Sequence, residues 1–273
     1  MNCTAMKYIT KSLLLFIISV FLTVGFNHAN AQSREQQFDP ENVYLPVTFD
    51  NIVKLYWALG KVTKINDKRI DDYLMITECD IYKRFYDNDL EWEKIRAVTK
   101  DNILNIQNSF PTKIFIVLPI QLERYDSDEE KFAISPNTAF KKDRQLPISY
   151  GNDKRDMICD RFIGNFEDYP TDLILTLDIP IQLEKLKMDK ETAARIIENK
   201  NFQDSERTLY LKLYIDLDKF KGMGVNKSNY SDFSYIGAKI DKAEIYLDST
   251  LIRKVKDIED ITPKSKVVRE SIK

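Results

Sequence analysis

Leu209-Tyr210-Leu211-Lys212-Leu213-Tyr214-Ile215-Asp216-Leu217 is apolar at every odd position and amphipathic or polar at every even one. A period of two belongs to a strand with one side in a core and the other toward solvent. Two upstream segments keep the same period. Ile114, Ile116, Leu118, Ile120 and Leu122 alternate with Phe115, Val117, Pro119, Gln121 and Glu123, and Leu173, Leu175, Leu177, Ile179 and Ile181 repeat the pattern. Pro119 has no N–H to give a ladder, so it predicts a sheet edge or a bulge. The hexapeptides beginning at Pro119 and Pro180 echo each other, which fits a duplicated strand unit or two edge strands of similar composition. Downstream, Ala243, Ile245 and Leu247 lead through Asp248-Ser249-Thr250 into Leu251-Ile252-Arg253, a hairpin pattern. Between them Lys221–Tyr235, with Gly222, Gly224, Asn226, Ser228, Asn229 and Ser231, reads as a loop. Asn226 and Asn229 head glycan-acceptor triplets, which matter only in a eukaryotic secretory route.

Ahead of Pro111 the period is helical. Thr48 is placed to cap a helix over Phe49–Gly60, and Asp67 a longer one carrying Ile70, Tyr73, Leu74, Thr77, Ile81 and Phe85. Asn88 or Asp89 opens a third near Leu90–Ile106, with Ile95, Val98 and Ile106 inward. Asp189 caps a short helix to about Asn199. Helices followed by strands give an α+β class: a three-helix part packed on a mostly antiparallel, sandwich-like β part. The divisions are 1–31 signal peptide, 32–47 polar lead-in, 48–110 helical part, 111–258 β-rich part and 259–273 charged tail.

The signal assignment rests on order. Lys7 and Lys11 are followed by a mostly apolar run, Leu13 to Phe26, and then by Ala29-Asn30-Ala31. Positive start, apolar middle and small-x-small exit are what a signal peptidase reads, with cleavage after Ala31. The run is short for a bilayer, which takes about 20 residues. Met6 is a second candidate start. The expected product is periplasmic or extracellular, without stable membrane insertion after cleavage.

Composition narrows the chemistry. Lys and Arg number 41 against 43 Asp and Glu, so the basic excess of a nucleic-acid binder is missing. The only histidine, His28, lies in the signal. That removes histidine-based nucleophilic sites and zinc or haem ligation by histidine from the mature chain. Cys79 and Cys159 remain, and in an oxidising compartment a lone pair is expected to bond, closing a loop of about 80 residues. Two buried thiols are the alternative. Asp87, Asp89, Glu91 and Glu93 surround Trp92, an arrangement that suggests a carboxylate sugar site, but acids at a helix start also answer the helix dipole. Asp126, Asp128, Glu129 and Glu130 resemble part of a calcium loop without its glycine or terminal glutamate, and read equally as a solvated turn. No nucleotide motif occurs, and no cofactor or metal is expected. Tyr210, Lys212 and Tyr214 share the outer side of the strongest strand, with Tyr246 on a neighbour. That face either binds something or lies under a helix, the latter being more frequent.

Lys54-Leu55-Tyr56-Trp57-Ala58-Leu59-Gly60, Glu78-Cys79-Asp80-Ile81-Tyr82, Phe85-Tyr86 and Leu90-Glu91-Trp92 resemble an uncharacterised family of exported bacterial proteins, the domain of unknown function 4852. The likeness spans roughly residues 48–100. It implies export from a bacterium and brings no catalytic residues. The sequence therefore points to a non-catalytic module that binds an unidentified protein or envelope component. The alternative is a histidine-free, carboxylate-based hydrolase acting on a glycan. N-terminal sequencing of the exported protein is expected to begin at Gln32; a start at Met1 or Met6 in that material contradicts cleavage.

Overall fold

The computed structural model describes residues 44–149, 159, 166–226, 231–259 and 261–262. The signal peptide, its cleavage site after Ala31 and most of the lead-in lie outside these residues. Four helices come first: α1 (Phe49–Ala58), α2 (Asp67–Thr77), α3 (Cys79–Phe85) and α4 (Asp89–Ser109). Each start but that of α3 carries a side-chain cap. Thr48 accepts from Asn51 N–H, Asn66 from Arg69 N–H and Asn88 from Glu91 N–H. The expected cap of α2 moves by one residue, from Asp67 to Asn66. Gly60 ends the first unit at φ +75, where a side chain would be strained.

The long second helix expected from Asp67 to Phe85 is broken. Glu78 sits at φ −136, ψ 51, outside helical geometry, and α3 restarts after it. The break resets the phase, so Tyr82 turns into the core while Ile81 faces solvent. On α4 the buried positions are Trp92, Thr99, Ile103 and Ile106. Val98, expected inside, is exposed, because Trp92 fixes a face one residue away from it.

Nine strands follow or flank the helices among the described residues: β1 (Leu45–Pro46), β2 (Lys113–Asp126), β3 (Lys131–Ile134), β4 (Phe140–Ser149), β5 (Asp172–Leu183), β6 (Lys185–Lys187), β7 (Thr208–Asn226), β8 (Ser231–Tyr246) and β9 (Lys254–Ile258). Helices α5 (Lys190–Ile197) and α6 (Lys200–Asp204) separate β6 from β7. The strands form one mixed sheet in the order β4-β5-β8-β7-β2-β3-β6, with β1 added to β2 and β9 to β8. The pairs β1·β2 and β5·β8 are parallel and the rest antiparallel.

The sheet curls until it meets itself. Only Glu184 separates β5 from β6, and only residues 135–139 separate β3 from β4. β3-β4 is therefore one bulged strand running against β5-β6, and Ile134 N–H donates to Glu184 O across the junction. Counting β2, β3-β4, β5-β6, β7 and β8 as strands one to five gives a ring in the order 1-2-3-5-4-1. The three–five pair is parallel, and helices are inserted between three and four. That is the connectivity of an OB-type Greek-key barrel. The layered β part is thus a single closed sheet, and α+β with helices first describes the chain. β2 is long enough to serve both halves. Lys113–Gln121 pairs with β7, and Leu122–Asp126 with β3.

Residues 221–235, expected as a loop, are mostly the arms of the β7–β8 hairpin, paired from Gly222↔Tyr235 to Asn226↔Ser231. The glycines misled. Gly224 lies under the Phe233 ring, 2.5 Å from where a Cβ would stand, and Gly222 takes φ +152 beside a register shift. Gly224 is there for close cross-strand packing and Gly222 for its backbone conformation. Residues 227–230 of that stretch, which include one acceptor triplet's serine and the other's asparagine, lie outside the described set. The end of the lead-in is also ordered, since Leu45–Pro46 pairs with Ile114–Phe115. In the tail, Ile261 is buried and its carbonyl accepts from Gln182 N–H.

One continuous core joins the helices to the inner side of the sheet. Phe49, Ile52, Val53, Leu55, Tyr56 and Trp57 of α1 meet Leu209, Leu211, Leu213 and Ile215 of β7 within it. Polar ties fix the docking at the entry to β5. Tyr56 donates to Pro170 O at 2.9 Å, Tyr169 to Arg69 O at 3.2 Å, and the Arg69 guanidinium grips Asp168 at 2.8 and 3.0 Å. Cys79 at the start of α3 is joined to Cys159, with Cα atoms 5.2 Å apart. The crosslink ties the helical part to the chain between β4 and β5, across 80 residues of sequence. Mass spectrometry of the unreduced protein is expected to find neither Cys79 nor Cys159 alkylatable. The Cys79→Ser, Cys159→Ser double variant is expected to lose about 3 to 5 kcal/mol in denaturant unfolding. Two free thiols in that material contradict the bond.

Candidate functional site

The four residues singled out on the strongest strands meet on the sheet's outer side, opposite the helix-covered core. β7 places Tyr210, Lys212 and Tyr214 there, and the antiparallel register with β8 sets Tyr210 against Tyr246, Lys212 against Glu244 and Tyr214 against Lys242. On the other flank β2 contributes Pro119, Val117 and Phe115 to the same three rows. β9 extends two of them, pairing Asp257 with Glu244 and Lys254 with Tyr246. Directly opposed side chains on one face are close enough to interact, as Lys242 and Phe115 do with the Tyr214 ring.

Glu244 is the centre. Its carboxylate is 5% exposed and accepts from Tyr214 Oη at 2.6 Å, Tyr246 Oη at 2.9 Å, Lys254 Nζ at 2.8 Å and Lys242 Nζ at 3.4 Å. Burial pushes its pKa up. The hydrogen bonds from Lys254, Tyr214 and Tyr246 and the Lys242 charge outweigh that and hold it at about 2. Burial and the adjacent carboxylate raise the Tyr214 and Tyr246 phenols. Lys254 is raised by its bonds to Asp257 and Glu244. A carboxylate so held is a permanent anion. It can organise phenols and ammonium groups but cannot donate a proton near neutrality.

Around this centre cations lie on rings. Lys212 Nζ is 4.3 Å from the Phe115 centroid and 4.6 Å from that of Tyr214, and Lys242 Nζ is 4.2 Å from Tyr214. Tyr44 meets Tyr214 edge-on at 5.0 Å, donates to Asp241 at 2.8 Å and lies under Lys113. Burial followed by Asp241 pushes the Tyr44 phenol to about 12. Tyr214 and Tyr246 are therefore buried by their neighbours, while Tyr210, Lys212 and Phe115 stay half-buried and Lys242 and Lys254 exposed. Among the described residues the face is covered by its own lysines and Tyr44 and not by a helix. Lys242 and Glu244 were readable as outward positions, alternating with Ala243 and Ile245. Tyr44 carried no periodic signal, since its place depends on the two-residue strand behind it.

The acidic candidates take other roles. Trp92 is buried and donates to Asp71 at 3.0 Å, boxed in by Tyr82 and Tyr86, so its ring is not presented to a sugar. Glu91 pairs with Lys94, and Glu93 with Arg96, whose guanidinium also holds Asp71 at 2.8 and 2.5 Å. These acids lie along one helix start and form no opposed pair. Asp126 uses its carboxylate to accept Asp128 and Glu129 N–H, both at 3.0 Å, shaping the β2–β3 turn. No helix among the described residues is long and apolar enough to cross a membrane.

Glu244 gives a signed pH dependence. Its pKa is about 2 folded against an ordinary 4.5, so below pH 4.5 the unfolded state binds more protons. The stabilisation is complete above about 4.5 and is lost as pH falls through about 2. Glu244→Gln is expected to cost about 2 kcal/mol at neutral pH, because two phenols and two ammonium groups lose their acceptor. The same variant should flatten the acid limb of thermal stability; an unchanged limb assigns the acid sensitivity elsewhere.

No curated protein and no solved structure matches the chain. Residues 66–199 match the family described as Domain of unknown function (DUF4852). The matched range contains the Glu78–Trp92 motifs and runs on through β5, β6 and α5, further than the resemblance over residues 48–100 suggested, while Lys54–Gly60 falls before it. It stops short of β7 and β8, so the sheet it enters is closed by strands beyond it. Over residues 66–199, then, this chain is similar to the DUF4852 family.

Proposed function

We propose that the chain is an exported, non-catalytic binding module of the bacterial envelope or exterior, and that its contact surface is the outer face of β2, β7, β8 and β9. The observation that carries this reading is the ladder of half-buried and exposed Phe115, Tyr210, Lys212 and Lys242 above a locked Glu244. Aromatic rings supply contact area at small entropic cost, and lysines held on them give direction to an approaching anion. The salt links beneath fix the geometry in advance, which lowers the ordering cost of binding. The hydrolase alternative draws no such support, because Glu91 and Glu93 beside Trp92 are tied to Lys94 and Arg96 and Glu244 is held ionised. Export rests on the order of charge, apolar run and Ala29-Asn30-Ala31 at the N-terminus.

Crosslinking and pull-down of the mature protein from fractionated cells tests both parts. The bait is expected in the exported fraction with a specific partner, and Tyr210→Ala with Lys212→Glu is expected to reduce capture at least about tenfold. Capture unaffected by this pair, or turnover of a glycan library without a partner, removes the reading.

A further inference from the structure

Beside the aromatic ladder the barrel wall is split. β2 is paired on one edge by β7 along Lys113–Gln121, while its other edge is occupied by β1 at Ile114–Phe115 and, from Gln121 onward, by Ser135, Thr138 and β3, so that among the described residues only the stretch 116–120 has no strand beside it there. Beyond Phe115 that edge diverges from β4, leaving a slot of about 360 Å³. Its walls are Phe115 to Leu118 on β2, Val47 behind β1, and Ile148 on β4, with Pro46 and Pro147. Residues of both strand parities line it, so it runs along the open edge of β2, not across its face. Every lining residue is apolar.

An open edge usually invites another strand. The Val117 N–H apart, this one is poor in donors. Val47 N–H donates to Phe115 O, so the backbones of Phe115, Val117 and Pro119 face the slot side. Pro119 therefore offers no N–H there. Pro147, seated opposite Ile174 in the β4·β5 ladder, and Pro46 on β1 have none to offer either. A peptide strand would find an incomplete ladder, whereas a hydrocarbon needs none. At the rim, Phe115 is shared with the ladder, and Lys212 Nζ stands 4.3 Å from its ring centroid. An apolar slot with a cation at its mouth is complementary to one molecule with both characters.

We propose that the slot holds the hydrocarbon chain of an anionic amphiphile of the fatty-acid type, with its carboxylate at Lys212. The assignment rests on the binding-face reading above and names a ligand class for one end of that face. Titration calorimetry and native mass spectrometry of the exported protein, with dodecanoate below its micelle concentration, test it. Saturable one-to-one binding is expected, with affinity rising about fourfold for each methylene from octanoate upward until the slot is full. Lys212→Ala should weaken dodecanoate about fivefold and leave dodecanol unchanged. Val117→Trp, and independently Ile148→Trp from the opposite wall, should abolish binding of both, each variant being checked by its thermal unfolding. Three results overturn the proposal: no saturable binding, binding intact in both slot-filling variants, or displacement of dodecanoate by an extended apolar peptide. If a partner is captured but dodecanoate does not bind, the slot assignment falls and the binding face stands. If dodecanoate binds and no partner is captured, the reverse holds.

Discussion

The pairing of β7 with both of its neighbours is the constraint on which the rest depends. Nine consecutive residue pairs bind it to β2, and a longer antiparallel register binds it to β8. Its inward Leu209, Leu211, Leu213 and Ile215 are fully buried, so a slip of one residue would exchange that row for Tyr210, Lys212 and Tyr214. Such an exchange would strand charge in the core and leucines in water. The register is thus held by burial on one side, and the outer rows, including Lys212 against Glu244, inherit their alignment from it.

Closure follows from length and interruption. β2 bends from one partner to another along its run, and β3-β4 and β5-β6 do the same through a bulge and a single-residue break. The helices then complete the inside, with α1 burying a row of aromatic and aliphatic side chains and Arg69, Tyr56 and Tyr169 anchoring the entry to β5. The Cys79–Cys159 link acts between the same two parts. On the outer side of the sheet Glu244 gathers two phenols and two ammonium groups. The connectivity of the barrel says nothing by itself about a ligand; the outer face and the split beside it do.

Local chemistry was legible where one residue decides one feature. Thr48, Asn88 and Asp189 cap helices because a side-chain oxygen meets an N–H three residues on, and that needs no tertiary partner. Pro119 announced a gap in the ladder, as an edge or a bulge, because a missing donor is a property of the residue. Failures came where a distant partner intervened. Glu78 broke a helix that its own periodicity continued, Val98 was turned outward by Trp92, and Gly224 made room for Phe233 while Gly222 took a positive φ at a register shift, both within a hairpin and not a loop.

The sequence by itself determined the strand faces, the helix starts, the restriction of histidine to the single position His28 and the grouping of Tyr210, Lys212 and Tyr214, because period and composition are properties of the chain alone. Only the tertiary structure decided that the sheet closes on itself, that Lys242, Lys254 and Tyr246 converge on Glu244, that Tyr44 joins them, and that β2 and β4 part to leave an apolar slot. Each of these depends on register and curvature between segments far apart in sequence, which no local pattern encodes.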